Sequence, residues 1–354
     1  MELLTEIMVR PTTRSRIGEV NWEQLEFGKY LSDHMLVCDY EDREWQQPQL
    51  VPFANLSLSP ATLALHYGQT VFEGMKAFRM DDGAVNIFRI DRHYDRFVRS
   101  LDRMCMAVPP KDIFIEGMTR LIQLDREWAP RKKGAALYIR PFVYASEARC
   151  SVKVSEQYRF VIFTTPVEEL YARSIRVKVE TEYIRAARGG TGFAKCGGNY
   201  GGSLYPTKLA RQQGYDQVLW TGGNNNGFIE ESGMMNVMFV IDNKLVTPPL
   251  SDSILDGVTR DSLLTLAADL GYVTEERSVA VGELEKAFRN NTITEAFGTG
   301  TAAVVAPIQT IHINGVDLEL PAYGEESVHN RIKQKLERIR TGLDNDIYGW
   351  NRIV

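Results

Sequence analysis

One lysine has a setting that invites chemistry. In the stretch Tyr183–Ser203, YIRAARGGTGFAKCGGNYGGS, Lys195 has a glycine pair on either side, so little side-chain bulk screens its amine and a flat group can approach the backbone closely. An amine in a dry, shaped site gives up its proton readily and attacks carbonyl carbon to form an imine. Arg185 and Tyr200, in the same stretch, offer a guanidinium and a hydroxyl to steer a phosphate or a ring oxygen. The competing reading is a glycine-rich loop with a solvated lysine. A P-loop is excluded, because Ala194 precedes the lysine and Cys196 follows it, and GxGxxG fails at Lys195 itself.

A second group of residues could serve the same ligand. Glu231, in Ile229-Glu230-Glu231-Ser232-Gly233, stands where a strand meets a glycine turn; a carboxylate there keeps a ring nitrogen protonated, so that the ring draws off the electrons of a carbanion. An exposed Glu-Glu pair in a hairpin is the plainer alternative. The turn Leu255–Thr259 leads into a helix at Val258, whose free N–H groups suit a phosphate, and Gly298-Thr299-Gly300-Thr301-Ala302 offers a second nest with two hydroxyls. Arg89, at the end of the strand Val85–Phe88, is either a bidentate phosphate ligand or a surface arginine. Amine, acid, hydroxyl and phosphate donors together match a phosphorylated pyridine aldehyde.

The elements that must position these residues follow from periodicity and turn chemistry. His66–Arg79 is a glycine-punctuated turn and strand, joined through Asp82-Gly83 to Ala84–Arg89 as a hairpin. Helices are predicted from Asp91, ended by Pro109-Pro110, and after Asp112, before Pro130; strands at Ala136–Ala145 and Gln157–Thr165 complete a first α/β domain, residues 1–165. Residues 166–174 read as a linker. A larger domain, 175–354, opens on the alternating strand Ile175–Glu180 and carries Lys195. Within it we expect a helix over Gly202–Gln213, strands at Gln217–Thr221 and Phe228–Glu231 around the turn Gly222–Gly227, a hairpin of Met235–Ile241 with Leu245–Thr247, a helix from Asp256-Gly257-Val258 to Gly271, a strand at Thr292–Phe297 and a last helix over Glu325–Arg340.

Composition narrows the function class. With 354 residues, 44% hydrophobic and 25% charged, the chain is long enough for two cores; a net charge of −5 with no basic block argues against nucleic acid. The start MELLTEIMVR is acidic where a signal peptide is basic, and no apolar run is long enough to span a bilayer, so no membrane association and a cytoplasmic location are expected. Cysteines at 38, 105, 150 and 196 and histidines at 34, 66, 93, 312 and 329 form no metal-ligand spacing; free thiols and no bound metal are expected.

HYGQTVFEGMKAF, FRIDRHYDRFVRS, ALYIRP, IRAARGGTGFAKCGGNYGGS, GFIEESGMMN, ILDGVTRDSLL and EAFGTGTAAVVAP resemble, in order and spacing, the branched-chain amino-acid aminotransferases, pyridoxal-phosphate enzymes of fold type IV. The resemblance runs from about Phe27 to Trp350 and is greatest to the longer subgroup of animal and actinobacterial enzymes. It implies an α+β fold of two domains, each a sheet flanked by helices as in D-amino-acid aminotransferase, with pyridoxal 5'-phosphate between them. It further implies that Lys195 is the Schiff-base lysine and proton shuttle, Glu231 the partner of the ring nitrogen and Tyr200 that of the ring oxygen. Arg89, Val258, Thr259 and Thr301 would hold the phosphate, with Arg185 nearby. Phe27, Tyr67, Phe72, Tyr138, Thr301 and Ala302 would shape the substrate pocket, with Arg140 beside it.

The resemblance also implies a homodimer in which Tyr67 and the loop around Cys150–Val152 reach the neighbouring subunit's pocket. Two positions depart from the pattern: Met234 stands where some relatives have a phosphate-binding threonine, and Ala303 and Ala306 replace the redox cysteine pair of the animal enzymes. The expected reaction moves the amino group of leucine, isoleucine or valine to 2-oxoglutarate, giving branched 2-oxo acids and L-glutamate. An aromatic pocket separates the three only mildly, each methylene being worth about 1–3 kcal/mol; glutamate requires a polar corner, for which Arg140 or Tyr67 are the candidates. The alternatives are another fold-type IV enzyme, D-amino-acid aminotransferase or aminodeoxychorismate lyase, and a non-catalytic protein that binds a phosphorylated ligand. Serine-hydrolase chemistry is set aside, because Ser203 lacks the GxSxG frame.

Overall fold

The computed structural model describes residues 6–168, 173–223 and 227–354. In chain order the first elements are β1 (Met8–Val9), β2 (His34–Glu41), β3 (Glu44–Trp45), β4 (Gln49–Pro52), α1 (Leu63–Tyr67), β5 (Thr70–Phe72), β6 (Met75–Arg79), β7 (Val85–Phe88), α2 (Ile90–Arg103), α3 (Lys111–Leu124), β8 (Ala136–Ala145) and β9 (Tyr158–Val167). There follow β10 (Ile175–Glu180), α4 (Gly198–Gly201), α5 (Leu204–Gln212), β11 (Gln217–Thr221), β12 (Ile229–Ser232), β13 (Met235–Ile241), β14 (Lys244–Thr247), α6 (Val258–Asp269), β15 (Thr274–Glu276), α7 (Val281–Arg289), β16 (Ile293–Gly300), β17 (Val304–Ile313), β18 (Val316–Glu319), α8 (Val328–Arg340) and β19 (Asn351–Ile353). No helix among the described residues is long and apolar enough to cross a membrane.

The chain folds into two compact units: Met1–Glu169, Ala194–Gly198 and Ile339–Val354 form one, Leu170–Phe193 and Asn199–Arg338 the other. This differs from the sequence reading, which gave everything after residue 174 to the second domain. Phe72 N–H donates to Lys195 C=O and Gly197 N–H to Thr70 C=O, so the lysine segment extends β5, and β19 pairs with β7 in the same sheet. The expected linker includes residues 169–172 and the expected turn 222–227 includes 224–226, which lie outside the described residues.

The first unit is built on a sheet in the order β1-β4-β2-β9-β8-β6-β7-β19, with β3 on β2 and β5 on β8. Leu36 of β2 pairs with Ile162 of β9, and Cys38 with Phe160, so the buried members of both strands share a face. The helices α2 and α3 cover that face: Phe97 and Phe114 lie 5.9 and 6.0 Å from the Phe160 ring. A methyl group at Gly117 of α3 would stand 2.7 Å from Leu36 Cδ1, so glycine permits the close approach.

The second unit has a mixed sheet, β12-β11-β10-β17-β16-β13-β14-β15, with β18 on β17. Its core joins Val177, Leu219, Val237, Phe239, Ala296 and Ile308 to Leu284 of α7. Three expected elements shift for identifiable reasons. The helix expected over 202–213 is α5, which starts at Leu204, and a separate turn, α4, precedes it over Gly198–Gly201; glycines, poor helix formers, stand between the two. The last helix starts three residues late, at Val328, where the Glu295 carboxylate of β16 accepts both the Val328 and His329 N–H groups. Gly298–Gly300 belong to β16, whose pairing with β13 and β17 uses their backbone groups, so only Thr301–Ala303 remain as a turn.

Candidate active site

In the first unit Lys195 is fixed by its backbone. Its N–H donates to Ser100 Oγ at 2.9 Å, its C=O accepts Phe72 N–H at 3.0 Å, and Cys196 bridges to Val71. The amine stands 5.0 Å from the centre of the Phe72 ring. The Arg140 guanidinium lies 4.8 Å from the same ring and 5.3 Å from that of Tyr138, so the amine and the guanidinium both approach one half-buried aromatic ring.

Strand alternation explains the grouping of the expected pocket residues. Tyr138 and Arg140, two apart on β8, project from one face. Arg140 donates to the Tyr138 hydroxyl at 3.1 Å, and Phe27 meets the Tyr138 ring edge-on at 4.8 Å. A methyl group at Gly74 would lie 1.9 Å from the Tyr138 hydroxyl, so this glycine makes room for it. Arg140 Nε is buried with no hydrogen-bond partner among the described residues, an orphan donor suited to an acidic ligand. Tyr67, at the end of α1, is 43% exposed, with its ring beside that of His66.

Arg89 occupies the position preceding α2 with φ 54° and ψ 40°, a left-handed conformation costly for a side chain with a Cβ. It is held there by Trp350: Arg89 N–H donates to Trp350 C=O at 2.6 Å, and its guanidinium lies 4.8 Å from the Trp350 ring. The carboxy-terminal YGW segment therefore sets the direction of Arg89.

A buried ionic cluster underlies these residues. Glu73, fully buried in the β5–β6 turn, accepts from Arg96 Nε at 2.7 Å, from another Arg96 nitrogen at 2.8 Å, from His93 Nδ1 at 2.8 Å and from Gly74 N–H at 3.1 Å. Burial alone would raise the Glu73 carboxyl; the Arg96 charge and the Arg96 and His93 hydrogen bonds outweigh it and hold the group far below the usual carboxylate range. Burial likewise pushes His93 down, against the pull of Glu73.

In the second unit Glu231 is 3% exposed on β12. Its Oε1 accepts Leu255 N–H at 2.8 Å and faces Asn236 Nδ2 at 3.4 Å, and its Oε2 is ion-paired with Arg185 Nε at 3.0 Å, without hydrogen-bond geometry. The resemblance puts Arg185 near the phosphate; here it neutralises the carboxylate. Asn236 also donates to Leu255 C=O at 2.8 Å, tying Glu231 to the loop that opens α6. A methyl group at Gly257 would lie 1.9 Å from Asn236 Oδ1, so only glycine fits at this helix start.

The helix α6 has no capping side chain, which leaves the N–H groups of Val258 and Thr259 at its positive end for an anion. Thr301 and Ala302 lie in the β16–β17 turn, next to Val304, whose φ of 59° is an outlier for a β-branched residue. Thr299, paired with Asn236 across β13, donates its hydroxyl to Val304 C=O at 2.9 Å and pins that turn. Tyr200 is half-buried in α4, and Met234, 59% exposed, forms the tip of the β12–β13 hairpin.

Sequence reasoning passes over Asn236, Ser100 and the Glu73–His93–Arg96 cluster. Asn236 carries a signal, a polar residue inside the apolar run MMNVMFVI, where asparagine disfavours a strand. In FRIDRHYDRFVRS the apolar stripe of the helix draws the eye, although His93, Arg96 and Ser100 lie at i, i+3 and i+7 and turn polar groups inward. Each unit by itself carries donors of the kind a phosphorylated pyridine aldehyde needs: a fixed amine and an arginine in strained backbone in the first, a buried carboxylate and an uncapped helix start in the second.

The family model for amino-transferase class IV matches residues 70–311. The chain is 45% identical over 331 residues to "Branched-chain-amino-acid transaminase 1" of Bacillus subtilis, covering 92% of this chain and 93% of that one. Among solved structures it resembles the branched-chain aminotransferase of Thermoproteus uzoniensis with norvaline, at TM-score 0.74 and 27% identity, covering 90% of this chain and 99% of that one. It also shares its fold with the branched-chain amino acid aminotransferase of Thermobaculum terrenum in PLP-form, at TM-score 0.73 and 22% identity, over 90% and 97% of the two chains. On the span of the family match and the identity to the Bacillus subtilis relative, the chain belongs to the class IV aminotransferases, within the branched-chain amino-acid aminotransferase family.

Proposed function

We propose that this chain transfers the amino group of leucine, isoleucine or valine to 2-oxoglutarate, giving branched 2-oxo acids and L-glutamate, with Lys195 as the catalytic residue. The observation that carries this reading is the lysine itself, fixed by hydrogen bonds at both its N–H and its C=O with its amine over Phe72. When bound, pyridoxal phosphate supplies the aldehyde that takes the amino group and the ring that accepts the electrons of the α-carbon. Glu231 would hold the ring nitrogen in its protonated form, and Tyr200 would hold the ring oxygen. Arg89, the helix start at Val258 and Thr259, and Thr301 would hold the phosphate, while Arg185 keeps the Glu231 carboxylate in place.

Lys195 Nζ would take the proton from the substrate α-carbon as base and give a proton up again as acid. Phe27, Phe72, Tyr138, Thr301 and Ala302 would shape an apolar wall for the branched side chain, excluding water. The orphan Nε of Arg140, whose Nη2 donates to the Tyr138 hydroxyl, would take the side-chain carboxylate of glutamate.

The protein would act in the cytoplasm as a homodimer. Support for the dimer is the exposure of two large apolar side chains of the first unit, Leu65 and Val152, at 60% and 82%; the residue before α1, Thr62, bridges to Ala148 in the segment leading to Val152. Tyr67 and the loop around Cys150–Val152 would then reach the partner's pocket.

The test is optical and kinetic. Purified protein should show a visible band that borohydride bleaches and leucine shifts, and should turn over leucine with 2-oxoglutarate but not D-alanine. Lys195→Ala should lose the band and at least about a thousandfold of the rate. Turnover of D-alanine in preference to leucine would point to another fold-type IV activity; a colourless protein that still binds a phosphorylated ligand would refute catalysis altogether.

A further inference from the structure

Glycines bracket Lys195: Gly192 precedes it, and Gly197 and Gly198 follow. Such a backbone has little stiffness of its own, so the direction of the amine has to be imposed by neighbours. Two contacts of the lysine's own backbone contribute. Phe72 N–H donates to the Lys195 C=O, and Ser100 Oγ accepts the Lys195 N–H.

The Ser100 contact has a fixed polarity. A hydroxyl carries one proton, and Ser100, 1% exposed in α2, gives its proton to Arg96 C=O at 2.9 Å. Its oxygen is thereby left to accept, which is what the Lys195 N–H needs. Arg96 is itself locked by two bonds to Glu73, and Glu73 follows directly on Phe72, the residue that holds the other side of the lysine. The contacts close a ring, Lys195 to Ser100 to Arg96 to Glu73 to Phe72 and back to Lys195, whose members from Glu73 to Ser100 are shielded from water.

We infer that Ser100 is a positioning residue for Lys195: its hydroxyl oxygen, oriented by the Arg96 carbonyl, sets the lysine backbone so that Nζ stands over the Phe72 ring. Removal of that oxygen leaves the Lys195 N–H without this acceptor and frees one side of a glycine-flanked segment. The amine then samples positions from which it meets an aldehyde carbon less often. This inference rests on the reading of Lys195 as the residue that bonds the cofactor.

The experiment compares wild-type protein, Ser100→Ala and Ser100→Thr, each stripped of cofactor. The first measurement is the rate of covalent attachment of pyridoxal phosphate, in which the amine and the aldehyde form a carbon–nitrogen double bond and release one water; it is followed by absorbance and by mass after borohydride reduction. The second is the affinity for pyridoxamine phosphate, which has no aldehyde and makes no bond to the lysine. The third is the urea unfolding midpoint.

Loss of one hydrogen bond that orients the nucleophile should slow attachment in Ser100→Ala by about tenfold, with pyridoxamine phosphate affinity changed less than about twofold. Ser100→Thr, which keeps the hydroxyl, should restore most of the rate. An attachment rate in Ser100→Ala equal to wild type overturns the inference, as does a parallel fall in attachment, pyridoxamine phosphate affinity and urea midpoint, or a Ser100→Thr protein no faster than Ser100→Ala. Wild-type protein that forms no covalent adduct at Lys195 overturns the reading of the lysine and the inference together, whereas a normal wild-type adduct with an unaffected variant overturns the inference alone.

Discussion

Replacing Glu73 with glutamine removes a single charge from the most enclosed ionic cluster of the first unit. The carboxylate is fully buried and Arg96 is 4% exposed, so the guanidinium would keep its charge with no anion and almost no water to meet it. Breaking one side of such a buried pair costs about 3–5 kcal/mol. Against a total stability of about 5–15 kcal/mol, that is a large fraction. Urea unfolding of Glu73→Gln, Arg96→Met and the double variant measures it: the double variant should lose less than the sum of the two singles by about 1–3 kcal/mol, because the second change removes the charge stranded by the first. A Glu73→Gln protein within about 0.5 kcal/mol of wild type, or strictly additive losses, would refute the argument.

The same cluster predicts a pH dependence whose sign is fixed. The folded-state pKa of Glu73 is depressed, so its contribution is fully present above the unfolded value of about 4.3 and is lost as pH falls through the folded value. His93, also depressed on folding, adds a loss that begins at higher pH, as acidity passes below about 6.5 and the unfolded imidazole takes up a proton first. Wild-type stability should therefore fall steadily with acidification below neutrality, and the part of the fall below pH of about 4 should be missing from Glu73→Gln.

Other outcomes follow from the geometry. Arg140→Met should raise the KM for 2-oxoglutarate by roughly tenfold or more while changing that for a branched 2-oxo acid less than about threefold, as steady-state kinetics with both acceptors will read; equal effects would remove Arg140 from the recognition of the second carboxylate. Gly257→Ala puts a methyl group 1.9 Å from Asn236 Oδ1 and should cost about 1–3 kcal/mol in urea unfolding, with weakened retention of pyridoxal phosphate on dialysis; wild-type behaviour would show that the loop before α6 yields freely.

Much of the site is legible in the sequence because it is written in short segments. Lys195 among its glycines and Glu231 before Gly233 each combine a reactive group with the local backbone that presents it, and Gly257 before Val258 marks a helix start with free N–H groups; such combinations survive in one dimension. The strands Ala136–Ala145 and Ile175–Glu180 likewise follow from their local pattern, since a side-chain period of two depends only on neighbours along the chain.

What the sequence could not decide is which segments share a unit and which side chains meet. Lys195 joins β5 through the backbone of Thr70 and Phe72, over a hundred positions earlier, and backbone pairing leaves no mark in residue types. Arg185 suits a phosphate or a carboxylate equally on composition alone; only the tertiary structure sets it 3.0 Å from Glu231. In one dimension Ser100 is a polar residue on a helix, and Glu73 a charge in a turn. Both are buried because α2 lies against the β5–β6 turn, and burial is what converts a hydroxyl and a carboxylate from solvated groups into fixed supports for the lysine.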